Sequence, residues 1–134
     1  MPKTIQQSVT FAATPERLFE VYMDAKQHGA ATGGKVSISR RAGGAFSAFN
    51  GSIRGKNLVV LPHRMIVQSW RSRGWKKTDV DSILVLTFSK ALGGGRVDLV
   101  HANVPDQDHA GVKNGWVKYY WKPWKAYLRK RGGR

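Results

Sequence analysis

Four histidines, His28, His63, His101 and His109, are the side chains of this sequence whose charge changes near neutral pH. They are scattered, with no HxH or HExxH pair and no acid at ligand spacing, so no metal site is expected. The chain has no cysteine, which excludes disulfides, zinc–thiolate and iron–sulfur sites and a thiol nucleophile. A G-x-S-x-G elbow is absent too. Gly93-Gly94-Gly95 lies between two strand-like runs, which makes it a hairpin and not a phosphate loop. Nothing in the pattern points to an enzyme, and neither a catalytic residue nor a cofactor is expected.

His101 is the titratable residue that alternation places inside. Leu84, Leu86 and Phe88 alternate along one strand and Val97, Leu99 and His101 along the next, so both sets share an inner face while Asp98 points away. Without an inward acid beside it, His101 reads as a satisfied core histidine. A buried histidine could, alternatively, hydrogen-bond a ligand or act as a general base.

The elements that position these residues follow from periodicity. Ile5, Gln7, Val9 and Phe11 alternate with Thr4, Gln6, Ser8 and Thr10, which predicts a strand over 4–11. Thr14-Pro15-Glu16 opens a helix that ends between Met23 and His28, before Gly29, Gly33 and Gly34. Strand-like runs then cover 35–40, 44–50, 53–61, 64–71, 82–90 and 96–103, punctuated by Gly43-Gly44, Asn50-Gly51 and the triple glycine. A helix over 111–131 closes the chain, capped near Asp108. At about 100° per residue, Val112, Trp116, Tyr119, Tyr120, Pro123 and Tyr127 form its core stripe. Trp121, Trp124 and Leu128 fall on the flank, where a sheet edge or a second subunit should cover the tryptophans. Pro123 predicts a kink.

With 134 residues the chain fits one domain, spanning 1–134 and ending in the basic tail 129–134. Twenty-three Lys and Arg against eight Asp and Glu leave a net charge of +15. Eleven bases and no acid lie between Asp24 and Asp79, and eight more follow His109. Two groups intermix cations with aromatics: Arg71, Arg73, Lys76 and Lys77 around Trp75, and Lys118, Lys122, Lys125 and Arg129 beside Trp121 and Trp124. Such groups suit an acidic protein or a nucleic-acid backbone, and the net charge alone implies nonspecific polyanion binding at low salt. No apolar run is long enough to span a membrane and no signal peptide is visible, which places the chain in the cytoplasm as a monomer or homodimer.

Pro62-His63-Arg64-Met65-Ile66-Val67-Gln68-Ser69-Trp70-Arg71 resembles the "P-x-R-I-V-x-S-W-R" strand of the SRPBCC (START-like) superfamily. Within it, the chain resembles homologues of the activator of the 90-kDa heat-shock chaperone ATPase, in their C-terminal domain. Leu99–Pro105 is similar to that family's "L-x-H-x-x-x-P", and Gly115–Leu128 to its closing "G-W-x-x-Y-W-x-P-L-x-x-Y-L". The resemblance implies an α+β helix-grip fold, a curved antiparallel sheet of about six or seven strands around the last helix, with short helices after the first strand. It implies a non-catalytic domain that holds a small apolar or amphipathic ligand between sheet and helix, lined by Trp70, Leu86, Phe88, Leu99, His101, Trp116 and Tyr120. The alternatives are a co-chaperone whose basic surface meets a chaperone or other acidic protein, and a polyanion binder.

Overall fold

A computed structural model of the chain describes residues 2–130. The polypeptide runs β1 (Lys3–Phe11), α1 (Pro15–Met23), α2 (Ala25–Thr32), β2 (Ser37–Ile38), β3 (Ala45–Ala48), β4 (Ile53–Leu61), β5 (Met65–Ser72), β6 (Ser82–Ala91) and β7 (Gly94–Val104). A single 3-10 turn (Asp106–Asp108) leads into α3 (His109–Gly115), a π-helical segment (Trp116–Trp121) and α4 (Lys122–Lys130), which together make the long C-terminal helix. All seven strands join one antiparallel sheet in the order β1-β7-β6-β5-β4-β3-β2, closed at one edge by the return of β1 to β7. This is the helix-grip architecture expected. The basic tail beyond Lys130 lies outside the described residues.

Alternation set the inner face correctly. Ile5, His101, Leu84, Gln68 and Asn57 stand side by side across five strands, and Leu99, Leu86 and Ile66 form the neighbouring row. All eight are buried. Among the described residues, no helix is long and apolar enough to cross a membrane.

Three local readings change. The first helix is two. Asp24 takes an extended conformation between them, and its carboxylate accepts from the Lys26 and Gln27 backbone N–H groups, capping α2. The run 35–40 keeps only Ser37–Ile38 as strand. Asp108 precedes α3 but does not cap it; its carboxylate accepts instead from the Trp75 indole, 2.7 Å away.

The larger change is on the C-terminal helix. Tyr119 is 48% exposed and Tyr127 only half-buried, whereas Trp121, Trp124 and Leu128 are buried beside Val112, Trp116 and Tyr120. In a regular helix of about 3.6 residues per turn, residues four apart drift by about 40° at each step. The π segment removes that drift: the Lys122 N–H bonds the Val117 carbonyl, five residues back. Trp116, Tyr120, Trp124 and Leu128 therefore stay in line over the sheet. The irregularity expected at Pro123 thus takes the form of a wide turn just before it. Trp121 is covered by edge strand β1, with its indole N–H donated to Gln7 Oε1 at 2.7 Å and Phe11 against its ring.

Close approach of β4 to β5 depends on Gly55, where an added Cβ would lie 1.8 Å from the Ser69 carbonyl oxygen of β5. A backbone atom cannot swing aside as a side chain does. Gly55→Ala is expected to destabilise the protein by at least about 1–3 kcal/mol, measured as a lower urea midpoint at unchanged slope; equal stability would show that β4 and β5 separate without penalty.

Candidate functional site

Two buried histidines hold the helix to the rest of the fold. The Trp116 indole, which can only donate, gives its N–H to His101 Nδ1 at 3.1 Å. Nδ1 must therefore be the acceptor, so the proton sits on Nε2, which donates to Ser82 Oγ at 2.8 Å. Ser82 in turn donates to the Trp70 carbonyl at 2.7 Å. His28 carries the opposite tautomer. Its Nδ1–H donates to the Tyr22 carbonyl at 2.8 Å, leaving Nε2 to accept the Tyr120 hydroxyl at 2.9 Å. Both rings are neutral and fully buried. Burial pushes His28 down to about 4 and His101 to about 3.

This arrangement assigns His101 its role. Its single lone pair is already taken by Trp116, so it has none left to act as a general base. Tyr22, Gln68 and Asn57 extend the polar core: Tyr22 donates to Gln68 Oε1 (2.7 Å), and Gln68 Nε2 to Asn57 Oδ1 (2.9 Å). Asn57 Nδ2 then donates to the carbonyls of Ser39 and Arg41. Gln68 standing between Ile66 and Trp70 at an inward position was the sequence signal for this network.

In front of these residues lies an open cleft of about 420 Å³ between the start of the C-terminal helix and the far half of the sheet. Five aromatic rings wall it: Phe49, Trp70, Trp116, Tyr119 and Tyr120. Ile53 and Val112 add apolar surface, Gly111 and Gly115 leave the helix side bare, and Ser52, Ser72 and Asp108 supply the polar groups. Phe49 closes one side from a tight turn in which it, Asn50 and Gly51 all have left-handed φ (51°, 59° and 87°). For an aromatic residue that conformation is strained. It is held by contacts of the Phe49 ring with Tyr119 and Tyr120 and by close approach to Gly34, where a Cβ would meet the ring at 2.8 Å.

Of the seven residues expected to line a pocket, Trp70, Trp116 and Tyr120 stand in the cleft wall. Leu86, Phe88, Leu99 and His101 lie outside it, in the packed core. Phe49, Ser52, Asp108 and Tyr119 were missed. Three sit in turns or beside a helix start, where period counting is silent, and Tyr119 was taken for core. Among the expected partner contacts, Lys118, Lys122, Lys125 and Arg129 form an exposed face, and Arg73, Lys76 and Lys77 are exposed in their loop. Arg71 is turned inward on that loop, donating to the Lys76 and Asp79 carbonyls and to Asp81.

The buried histidines make stability pH-dependent. Both have folded pKa values below the ordinary 6.5, so the unfolded chain takes up protons first and stability is lost as pH falls below about 6.5. Between pH 6 and 4.5 each histidine should contribute a slope on the order of 1 kcal/mol per pH unit. Urea unfolding across this range should show the combined slope, and His101→Gln should remove about half of it. Stability that stays level from pH 7 to 5 would contradict the assigned neutral states.

Residues 12–129 match the family described as activator of Hsp90 ATPase homolog 1-like protein. The chain is 31% identical over 119 residues to an activator of 90 kDa heat shock protein ATPase homolog from Dictyostelium discoideum, covering 87% of this chain and 30% of that protein. It is 26% identical over 113 residues to the human homolog 1, covering 84% and 33%. The chain thus spans about a third of the length of these curated relatives. Among solved structures, an HSP90 activator from Plasmodium falciparum superposes with a TM-score of 0.85 at 24% identity, over 94% of this chain and 96% of that one. The Aha1 dimer of Colwellia psychrerythraea gives 0.76 at 13% identity, over 89% and 91%. With that match over most of its length, beneath the shared sheet and gripped helix, the chain belongs to the activator of Hsp90 ATPase homolog 1-like family.

Proposed function

We propose that this chain is a non-catalytic binding domain that takes a small amphipathic ligand in the cleft between Phe49, Trp70, Trp116, Tyr119 and Tyr120. One observation carries the reading: an aromatic-walled opening of about 420 Å³ with three polar groups at its side. That size falls within the roughly 300–1,000 Å³ of small-molecule sites, and a few polar groups on apolar walls is their usual chemistry. Catalysis has no support, because His101, the titratable ring nearest the pocket expected from sequence, is fully hydrogen-bonded behind Trp116.

A second reading rests on the exposed row of Lys118, Lys122, Lys125 and Arg129, for which no ion pair is seen among the described residues. Relatives named as activators of the 90 kDa heat shock protein ATPase make a chaperone of that kind the partner to test for this face. Stimulation of such an ATPase that is lost in Lys118→Glu/Lys122→Glu/Lys125→Glu would favour it over the ligand reading. Nucleic-acid stacking on Trp121 and Trp124 is unsupported, since those rings are 4% and 0% exposed. Polyanion binding through the lysines should fall steeply between about 50 and 200 mM salt.

Gly115 separates cleft from fold. Its φ of −62° suits any residue, and an added Cβ would meet Tyr119 at an ordinary 3.6 Å. Gly115→Ala should raise stability by up to about 1 kcal/mol through helix propensity. Gly115→Leu should fill the cleft and abolish quenching of tryptophan fluorescence by an apolar probe, while the urea midpoint holds. Undiminished probe binding in the leucine variant would sink the cleft reading.

A further inference from the structure

Among the described residues, the walls of the cleft carry one acid and no base, in a chain whose bases outnumber its acids by 23 to 8. Asp108 is that acid. Its Oδ2 accepts from the Trp75 indole at 2.7 Å, while Oδ1 has no hydrogen-bond or ion-pair partner among the described residues. Oδ1 stands over Gly111, where a Cβ would come within 2.9 Å of it. Glycine at that position keeps space open around the free oxygen. Arg73, near Gly51, and Lys118 flank the opening without walling it.

We infer that the ligand of this cleft is an organic cation, an amine or quaternary ammonium attached to an apolar body, whose charge sits between the aromatic faces and Asp108; this rests on the cleft being the binding site. Aromatic faces carry negative electrostatic potential and attract ammonium groups, most strongly when several surround the charge and water is excluded. The molecule already makes one such contact, with Lys118 Nζ 5.3 Å from the centre of the Tyr119 ring. Within the walls an anion would meet two hydroxyls, the faces of π systems and a carboxylate, with the bases Arg73 and Lys118 only at the rim. It would find better company almost anywhere else on this surface. A neutral ligand would leave Oδ1 of Asp108 without a partner as it excluded water, which costs affinity.

The test uses three benzyl probes on the full chain: benzyltrimethylammonium, its neutral carbon isostere neopentylbenzene, and the anion phenylacetate, each titrated against tryptophan fluorescence. The neutral isostere has the hydrophobic advantage, so the comparison is weighted against the cation. The cation should nevertheless bind at least about tenfold more tightly than either. Asp108→Asn keeps an oxygen for Trp75 and should weaken the cation about tenfold, leaving neopentylbenzene unchanged and the thermal midpoint close to that of the parent. Tyr119→Leu, at an exposed position, should weaken the cation in the same way. Equal or tighter binding of neopentylbenzene, lost in Gly115→Leu, would overturn the cation assignment and leave the cleft standing. Cation binding indifferent to Asp108→Asn and Tyr119→Leu would overturn it too. If no probe binds at millimolar concentration, the cleft reading fails and the assignment with it.

Discussion

The hydrogen bond from the Trp116 indole to His101 is the contact on which the helix grip depends. A long helix lying across a curved sheet has many apolar ways to settle, since dispersion and burial are not directional. One donor aimed at one lone pair removes that freedom. His101 can accept only because its other nitrogen gives its proton to Ser82, and Ser82 is anchored to the Trp70 carbonyl. The relay runs from helix to β7, β6 and β5. It also fixes Trp116 beside Trp70, their ring centres 6.3 Å apart, and those two rings make the back wall of the cleft. At the other end Tyr120 and His28 tie the same helix to α2.

Such a relay is legible in sequence only by halves. The inward placement of His101 and Trp116 followed from strand and helix spacing, and the family resemblance placed Trp70 and ordered the elements. What spacing cannot supply is a departure from the period itself. The π segment moved Tyr119 outward and Trp121 and Trp124 inward, because a count at constant angle accumulates the drift that the wide turn removes. The break at Asp24 and the cap expected near Asp108 escaped the sequence reading for a related reason. Both aspartates have the side chain of a helix cap, but Asp24 breaks one helix to start another, and Asp108 is claimed by Trp75 from a loop more than thirty positions away. Long-range claims on a polar side chain leave no periodic trace.

The strong positive charge looks different once each acid is placed. Glu20, Asp81, Asp98 and Asp106 pair with Arg40, Arg71, Arg96 and Lys3. Asp24 caps α2, Asp79 holds the Lys76 N–H and Gln107, and Glu16 lies in the first turn of α1. Asp108 lines the aromatic cleft, and its Oδ1 has no hydrogen-bond or ion-pair partner among the described residues. Net charge describes how the whole domain meets a polyanion at a distance, and that field is screened beyond about 8–10 Å in physiological salt. Inside the cleft the nearer groups decide, and they have the opposite sign.

Gly111 and Gly115 show where stability has been given up. They lie four residues apart, so they share one face of the helix, and both border the cleft. Each weakens an interior helical position by about 1 kcal/mol relative to alanine. A helix with no task beyond covering the sheet would gain from side chains there, in helix propensity and in apolar burial alike. The Phe49 turn adds strain on the facing side, where left-handed φ is imposed on a bulky residue so that its ring reaches Tyr119 and Tyr120. Both departures border the same opening, while the core behind it is packed with Leu84, Leu86 and Leu99 at 0–1% exposure. Strain and helix-weakening residues gathered around one opening, beside a core that otherwise fills its space, are what the proposed ligand site would require.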